Sequence, residues 1–303
     1  MPVATPYGFR QRACPVCGAD GKASIFAESN YDSRRVTSFS FASRKLPESM
    51  HYRLLHCLSC DALYANPAPD LGTLARAYGE ADFDSGEEAG YAARTYARLL
   101  PRLGLKDKAG ALDIGTGNGA FLRCLLDAGF TRVQGVEPSL APIKAAPPGI
   151  RGLIRYGFFN AADYQPNSLS LVTCFQTMEH LDQPKAVCEA SYRLLKPGGA
   201  FYTVCHDYRS LSAKVLRRRS PIFDIEHLQL FSQKSLKHLL ESQGFGHVKV
   251  FPISNRYPLH YWMKIFPVPA PLKRGLIAAG KALGAGVVPV ALRAGNVAGF
   301  GIR

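Results

Sequence analysis

The 303-residue chain predicts an α/β fold: a mostly parallel sheet with helices on both faces, preceded by a small cysteine-rich module. Three observations predict it. From residue 110 onward, short apolar runs alternate with amphipathic ones, the pattern of parallel strands linked by crossover helices. A glycine-rich turn, Gly115-Thr-Gly-Asn-Gly119, joins one such strand to one such helix. Two Cys-x-x-Cys pairs stand within the first 70 residues.

The pairs are Cys14-Pro-Val-Cys17 and Cys57-Leu-Ser-Cys60. Each tight turn sets two thiols on one side of the chain, and two such turns complete a tetrahedral zinc site. Four thiolates close the coordination sphere, so the metal expected at Cys14, Cys17, Cys57 and Cys60 is structural. The 39 residues between the pairs exceed the usual spacing. Their aromatic and β-branched runs at 36–41 and 51–55 predict strands inserted into a zinc-ribbon-like module over residues 1–70. His56 is expected exposed or behind the ligands. Cys124, Cys174, Cys188 and Cys205 fall in expected core elements and read as small hydrophobes. The first twelve residues lack the apolar core of a secretory signal, and no run approaches the ~18 apolar residues of a membrane span. A cytoplasmic setting, where thiols stay reduced, is therefore expected.

Residues 71–77 and 90–103 read as helices in a linker or lid reaching to 108. The domain over 109–303 then opens with a strand at 110–114, the glycine turn and a helix at 120–128. A strand at 132–136 ends in Glu137. A strand at 169–175, a helix at 185–194, the turn Pro197-Gly-Gly199 and a strand at 200–205 follow. Further strands are expected at 247–252 and 296–302, with a cap insertion at about 253–295. In such sheets ligands bind at the carboxyl ends of the strands, near the point where strand order reverses.

Glycines at 115, 117 and 119 allow a sharp turn and close approach of a ligand to the backbone. The spacing is GxGxG rather than the GxGxxG of dinucleotide-binding folds. Asp113 precedes the turn, where it can anchor the loop or hold a ligand amino group, and Glu137 is placed to accept ribose hydroxyls. Taken together, residues 112–119, Glu137, Phe175-Gln-Thr-Met-Glu-His180, Leu194-Leu-Lys-Pro-Gly-Gly199 and the stretch from His227 to Phe245 resemble the class I S-adenosylmethionine (SAM) dependent methyltransferases. The knuckles followed by Asn66-Pro-Ala-Pro69 resemble a bacterial subgroup with a zinc-binding N-terminal module.

The resemblance implies a Rossmann-like seven-stranded sheet, SAM as cofactor and methyl transfer as the activity. It places the methionine end of SAM against Asp113, Gly115, Gly117 and Gly119 and the ribose on Glu137. Adenine is expected near 157–159, beside Phe158, with Asp163 as a further candidate, and Gln176 and Thr177 beneath the sulfonium. Ordinary core packing is the alternative for Phe158 and Phe159. His180 and His227 are the candidate bases, the latter in a pair, Glu226-His227, expected on the same carboxyl-end rim. In related small-RNA and ubiquinone-pathway enzymes similar positions hold a divalent metal, but here Gln176 replaces the first carboxylate of the E-x-x-E-H pattern, which weakens that reading.

Charge bears on the partner. Lysine and arginine number 37 against 23 acids, a net +14. Residues 207–303 hold 15 basic and 4 acidic residues, and from Arg256 to Arg303 there is no acid. A localised basic surface suggests an anionic partner. Aromatic and basic residues from Tyr257 to Lys281 have the composition of an interfacial amphipathic pair, with a packed cap as the alternative. The expected acceptor is a small molecule or glycan, lipid- or nucleotide-linked, with peripheral contact to an anionic membrane. RNA methylation is the second reading, although the nearly neutral knuckle module counts against it.

Overall fold

The computed structural model describes residues 8–42, 47–83, 86–265, 275, 278 and 288–303. The N-terminal part contributes β1 (Phe9–Arg10), β2 (Ala23–Ala27), β3 (Leu54–Cys57), β4 (Leu63–Ala65) and β5 (Ala68–Pro69), followed by α1 (Leu71–Gly79) and α2 (Gly86–Ala97). Asp70 starts α1 by accepting the Thr73 amide at 2.7 Å, which satisfies one orphan donor of the first turn. The expected strand at 36–41 is instead a run of turns. There the Ser40 and Thr37 hydroxyls accept the Thr37 and Phe39 amides, and such local bonds compete with a ladder.

The larger part adds β6 (Ala111–Ile114), α3 (Ala120–Asp127), β7 (Val133–Glu137), α4 (Leu140–Ala145), α5 (Pro148–Arg151), β8 (Ile154–Tyr156), β9 (Leu169–Phe175) and α6 (Pro184–Leu194). Then come β10 (Leu195–His206), α7 (Leu211–Leu216), β11 (Gln229–Leu230), α8 (Gln233–Ser242), β12 (Gly246–Pro258), α9 (Leu259–Ile265) and β13 (Pro289–Ile302). Seven strands form one sheet in the order β12-β13-β10-β9-β6-β7-β8, with β13 antiparallel to both neighbours and the other ladders parallel. All four residues of β6 are buried, as a strand covered on both faces requires. Strand order reverses between β6 and β9, so the crevice opens at their carboxyl ends.

Two differences from expectation concern the edges. Strands β12 and β13 stay paired well past the expected ends, through Asn255↔Leu292 to Pro258↔Pro289, so the insertion between them shrinks to about thirty residues. Trp262, within its described part, and Tyr257, at the end of β12, are buried, and the Trp262 indole N–H donates to the Val290 carbonyl at 2.9 Å. These rings belong to a packed cap rather than to an exposed interfacial face. The expected contributions of Lys264, Ile265, Phe266, Lys273, Arg274 and Lys281 fall on side chains outside the described residues.

The cysteine module is knitted into the larger part. Its sheet has the order β11-β4-β3-β2, so one strand comes from residues 229–230. Arg12 donates to the carbonyls of Ala65 (2.9 Å) and Leu228 (2.6 Å), and Asp61 takes the Arg209 guanidinium, the Tyr208 hydroxyl (2.9 Å) and His56 Nε2 (2.8 Å). His56 thus sits behind the ligands. Cys14, Val16, Cys57 and Cys60 pack in the same core as Leu112, Ile114 and Val172. Cys174, Cys188 and Cys205 are buried there too, and Cys124 is half-buried on α3.

Candidate active site

The four knuckle thiols converge. Cys14 and Cys60 Sγ lie 3.6 Å apart, as do Cys17 and Cys57 Sγ, and all four lie within 4.8 Å of one another. A tetrahedron with metal–sulfur bonds of about 2.3 Å has sulfur–sulfur edges of about 3.8 Å. The thiols fit zinc, and the Cys14 thiol is pulled down in pKa, chiefly by its contact with Cys60. This is a zinc-binding cluster, closed and structural.

A separate cavity of ≈ 350 Å³ opens at the carboxyl ends of the sheet, within the usual range for a ligand site. One wall is the glycine loop. Gly115 has φ +72°, and a Cβ there would stand 2.4 Å from Thr177 Oγ1; Gly117 has φ +57° with open space where its side chain would be. The loop is fixed from below, because both Asp113 oxygens accept threonine hydroxyls, from Thr116 at 2.8 Å and Thr173 at 2.6 Å. Asp113 is therefore a loop anchor. Burial pushes its carboxyl up to about 6, against the pull of those two bonds.

Glu137 ends β7 and is also buried; its oxygens accept the Gly117 amide at 2.8 Å and the Ser139 amide at 2.9 Å. A carboxylate has room for further donors, so hydroxyls can still approach it. Burial raises its pKa. Phe158 is 53% exposed and lines the cavity, as does Phe159, which also packs on Tyr164. Asp163 pairs with Arg155 at 2.7 Å and is absent from the lining. Gln176 (φ +48°) and Thr177 line the cavity just beyond β9.

The opposite wall holds a polar cluster. The Tyr78 hydroxyl lies 3.0 Å from His180 Nδ1, and the His227 ring sits 5.0 Å from that of His180 and 4.9 Å from that of His206. His227 Nδ1 is 2.7 Å from the Ile222 carbonyl, so this nitrogen carries a proton, and in the neutral ring the lone pair is on Nε2. Glu226 Oε1 is 3.7 Å from that Nε2. Donor atoms of His180, Glu226 and His227 all lie within 4.8 Å of one another. Sequence reasoning found His180, Glu226 and His227 but missed Tyr78, His206, Asn255 and Asn296, which also line the cavity. His206 was within reach, since it directly follows the strand predicted at 200–205 and ends the observed β10. Tyr78 lies in a helix with no motif around it.

Glu179 does not join the cluster. It is fully buried, one oxygen accepts the His206 amide, and Oε2 has no partner among the described residues. Burial pushes its pKa up to about 8. A folded-state pKa above the unfolded value means folding takes up a proton, so the stabilisation present in acid is lost as pH rises toward 8. Glu179→Gln should flatten the fall in melting temperature between about pH 5 and 8. An unchanged pH profile would show that Glu179 is ionised in the fold.

A family model described as Methyltransferase domain matches residues 88–250, more than half of the chain. The chain belongs to the methyltransferase domain family. Its N-terminal part adds a zinc-binding module. Curated relatives include the ubiquinone biosynthesis O-methyltransferases of Pseudomonas fluorescens (31% identical over 109 residues, 33% of this chain and 45% of the relative) and Idiomarina loihiensis (36% over 99 residues, 30% and 40%). The chain therefore spans less than half the length of these relatives. Similar solved structures include a SAM-dependent methyltransferase of Thermotoga maritima, described as a possible histamine N-methyltransferase (19% identical, 71% of this chain and 91% of that one, TM-score 0.46). Another is the geranyl diphosphate C-methyltransferase of Streptomyces coelicolor (16%, 70% and 79%, TM-score 0.45). Among the described residues no helix is long and apolar enough to cross a membrane.

Proposed function

We propose that this methyltransferase acts on an oxygen or nitrogen of a small polar acceptor, a glycan carried on a lipid or nucleotide, with His227 as the base. The observation that carries this reading is the Tyr78–His180–His227–Glu226 cluster facing the glycine loop across a single cavity. When bound, SAM supplies an electrophilic methyl group on a sulfonium. In this reading Gly115, Gly117 and Gly119 admit its methionine end, Asp113 holds the loop, Glu137 receives the ribose, Phe158 covers the adenine, and Gln176 and Thr177 lie under the sulfur.

Methyl transfer is an in-line displacement, so positioning matters most and a hydroxyl acceptor also needs a base. His227 Nε2 takes the acceptor proton while the Ile222 carbonyl holds the ring, and Tyr78 orients His180 beside it. Asn255 is buried in the wall and its Oδ1 has no partner among the described residues, which suits a donor on the acceptor. A hydroxylated molecule meets that need. The names of the curated relatives, O-methyltransferases of ubiquinone biosynthesis, also favour a small oxygen acceptor.

The test is release of S-adenosylhomocysteine against a panel of lipid- and nucleotide-linked sugars. His227→Ala should bind SAM normally and lose about 100-fold or more of the turnover. Asn255→Leu should raise the acceptor KM about tenfold with little change in kcat for an acceptor bound through that bond. Wild-type turnover in His227→Ala would remove the base. A second reading, a divalent cation on His180, Glu226 and His227, is favoured by their spacing. Calorimetry with Mn²⁺ decides it, since saturable binding lost in Glu226→Gln would place a metal there.

A further inference from the structure

Helix α7 turns an apolar and basic face outward beside the mouth of the cavity. Ala213 is buried, and on the opposite side of the helix stand Leu211, Lys214 and Val215, at i, i+3 and i+4. Leu211 is 78% exposed and Val215 70%, the most exposed large apolar side chains among the described residues. Exposed aliphatic side chains are ordinary when single, but here they cluster. The next turn is Arg217-Arg218-Arg219, all three exposed.

A second segment extends the face. Ser210 and Ser212 abut Gly295 of β13, and the start of that strand exposes Leu292 and Arg293 just after the exposed Val288. No ion pair among the described residues engages Lys214, Arg217, Arg218, Arg219 or Arg293. Residues 208–223 and 288–303 contain no acid at all. The patch adjoins the cavity on both sides, since Pro221 and Ile222 follow the arginines while Ala294 and Asn296 follow Arg293, and all four line it.

We infer that this face, with Leu211 and Val215 ringed by Lys214, Arg217, Arg218, Arg219 and Arg293, docks the enzyme on an anionic lipid bilayer with the cavity mouth at the membrane surface. Charge complementarity selects the occupant. Basic side chains are drawn to anionic headgroups, and exposed aliphatics gain by entering the acyl boundary. A nucleic acid would engage the arginines but leave Leu211 and Val215 in water. The inference rests on the proposed glycan acceptor and selects its lipid-carried form. It also moves membrane contact from the buried Trp262 to α7.

The experiment is co-sedimentation of the full chain with vesicles of phosphatidylglycerol and phosphatidylcholine in equal parts, against phosphatidylcholine alone. The wild type should bind the anionic vesicles and be released by salt. Replacing Arg217, Arg218 and Arg219 with glutamine should weaken binding at least about tenfold, and Leu211→Ser with Val215→Ser should weaken it about fivefold or more. These exposed changes should leave the melting temperature unaltered. A control set, Lys273→Gln, Arg274→Gln and Lys281→Gln, should have a smaller effect. Binding that depends on the control set and not on α7 overturns the inference while leaving a lipid-carried acceptor standing. No binding by the wild type, or retention of RNA with no binding to vesicles, overturns it outright.

Discussion

Replacing Cys60 with serine is expected to lower the melting temperature by on the order of 10 °C and to release the zinc. The size of the effect comes from where the cluster sits. Cys14, Cys57 and Cys60 are buried in the core that also holds Leu112, Ile114 and Val172 of the main sheet. Asp61, next in the chain, takes Arg209, Tyr208 and His56, and Arg12 holds the Leu228 carbonyl beside His227. Loss of the metal should therefore loosen the acceptor wall as well as the module. Metal analysis with differential scanning calorimetry checks this, and amide exchange should quicken at 226–231. A zinc-free variant that melts like the wild type would show that the cluster is dispensable to the fold.

Glu137→Ala and Gly115→Ala should each weaken SAM binding about 100-fold or more, for different reasons. Glu137 bridges the Gly117 and Ser139 amides, so its removal frees the loop and deletes the proposed ribose acceptor. A methyl group at Gly115 meets Thr177 at 2.4 Å, at a φ of +72° that L side chains rarely adopt. Titration calorimetry measures both. Wild-type affinity in Glu137→Ala would detach that carboxylate from the cofactor site.

Much of this architecture is written in local sequence. The strand at 169–175 falls where its apolar run predicts, and the helix at 184–194 begins one residue earlier because Pro184 suits a first turn. The glycine loop and the knuckles were equally legible, because tight turns and paired thiols leave few alternatives. What sequence could not show is long-range pairing. The extension of β12 along β13 depends on partners more than 30 residues away, and the entry of β11 into the module's sheet joins residues 63–65 with 229–230. The acceptor wall was half visible for the same reason. His180 and His227 sit in recognisable stretches, whereas Tyr78 meets His180 from α1 and Asn255 lines the same cavity from β12, placements made only by the folded chain. Aromatic composition misled at Tyr257 and Trp262, where the rings form the wall of a cap.

A crystal structure of the enzyme with S-adenosylhomocysteine will show whether cofactor and proposed base share one cavity. The ribose should lie on Glu137, the adenine beside Phe158, and the sulfur over Gln176 and Thr177 with a clear line to His227 Nε2. A ligand bound outside this cavity, or one whose carboxylate rather than sulfur faces the histidines, would contradict the account.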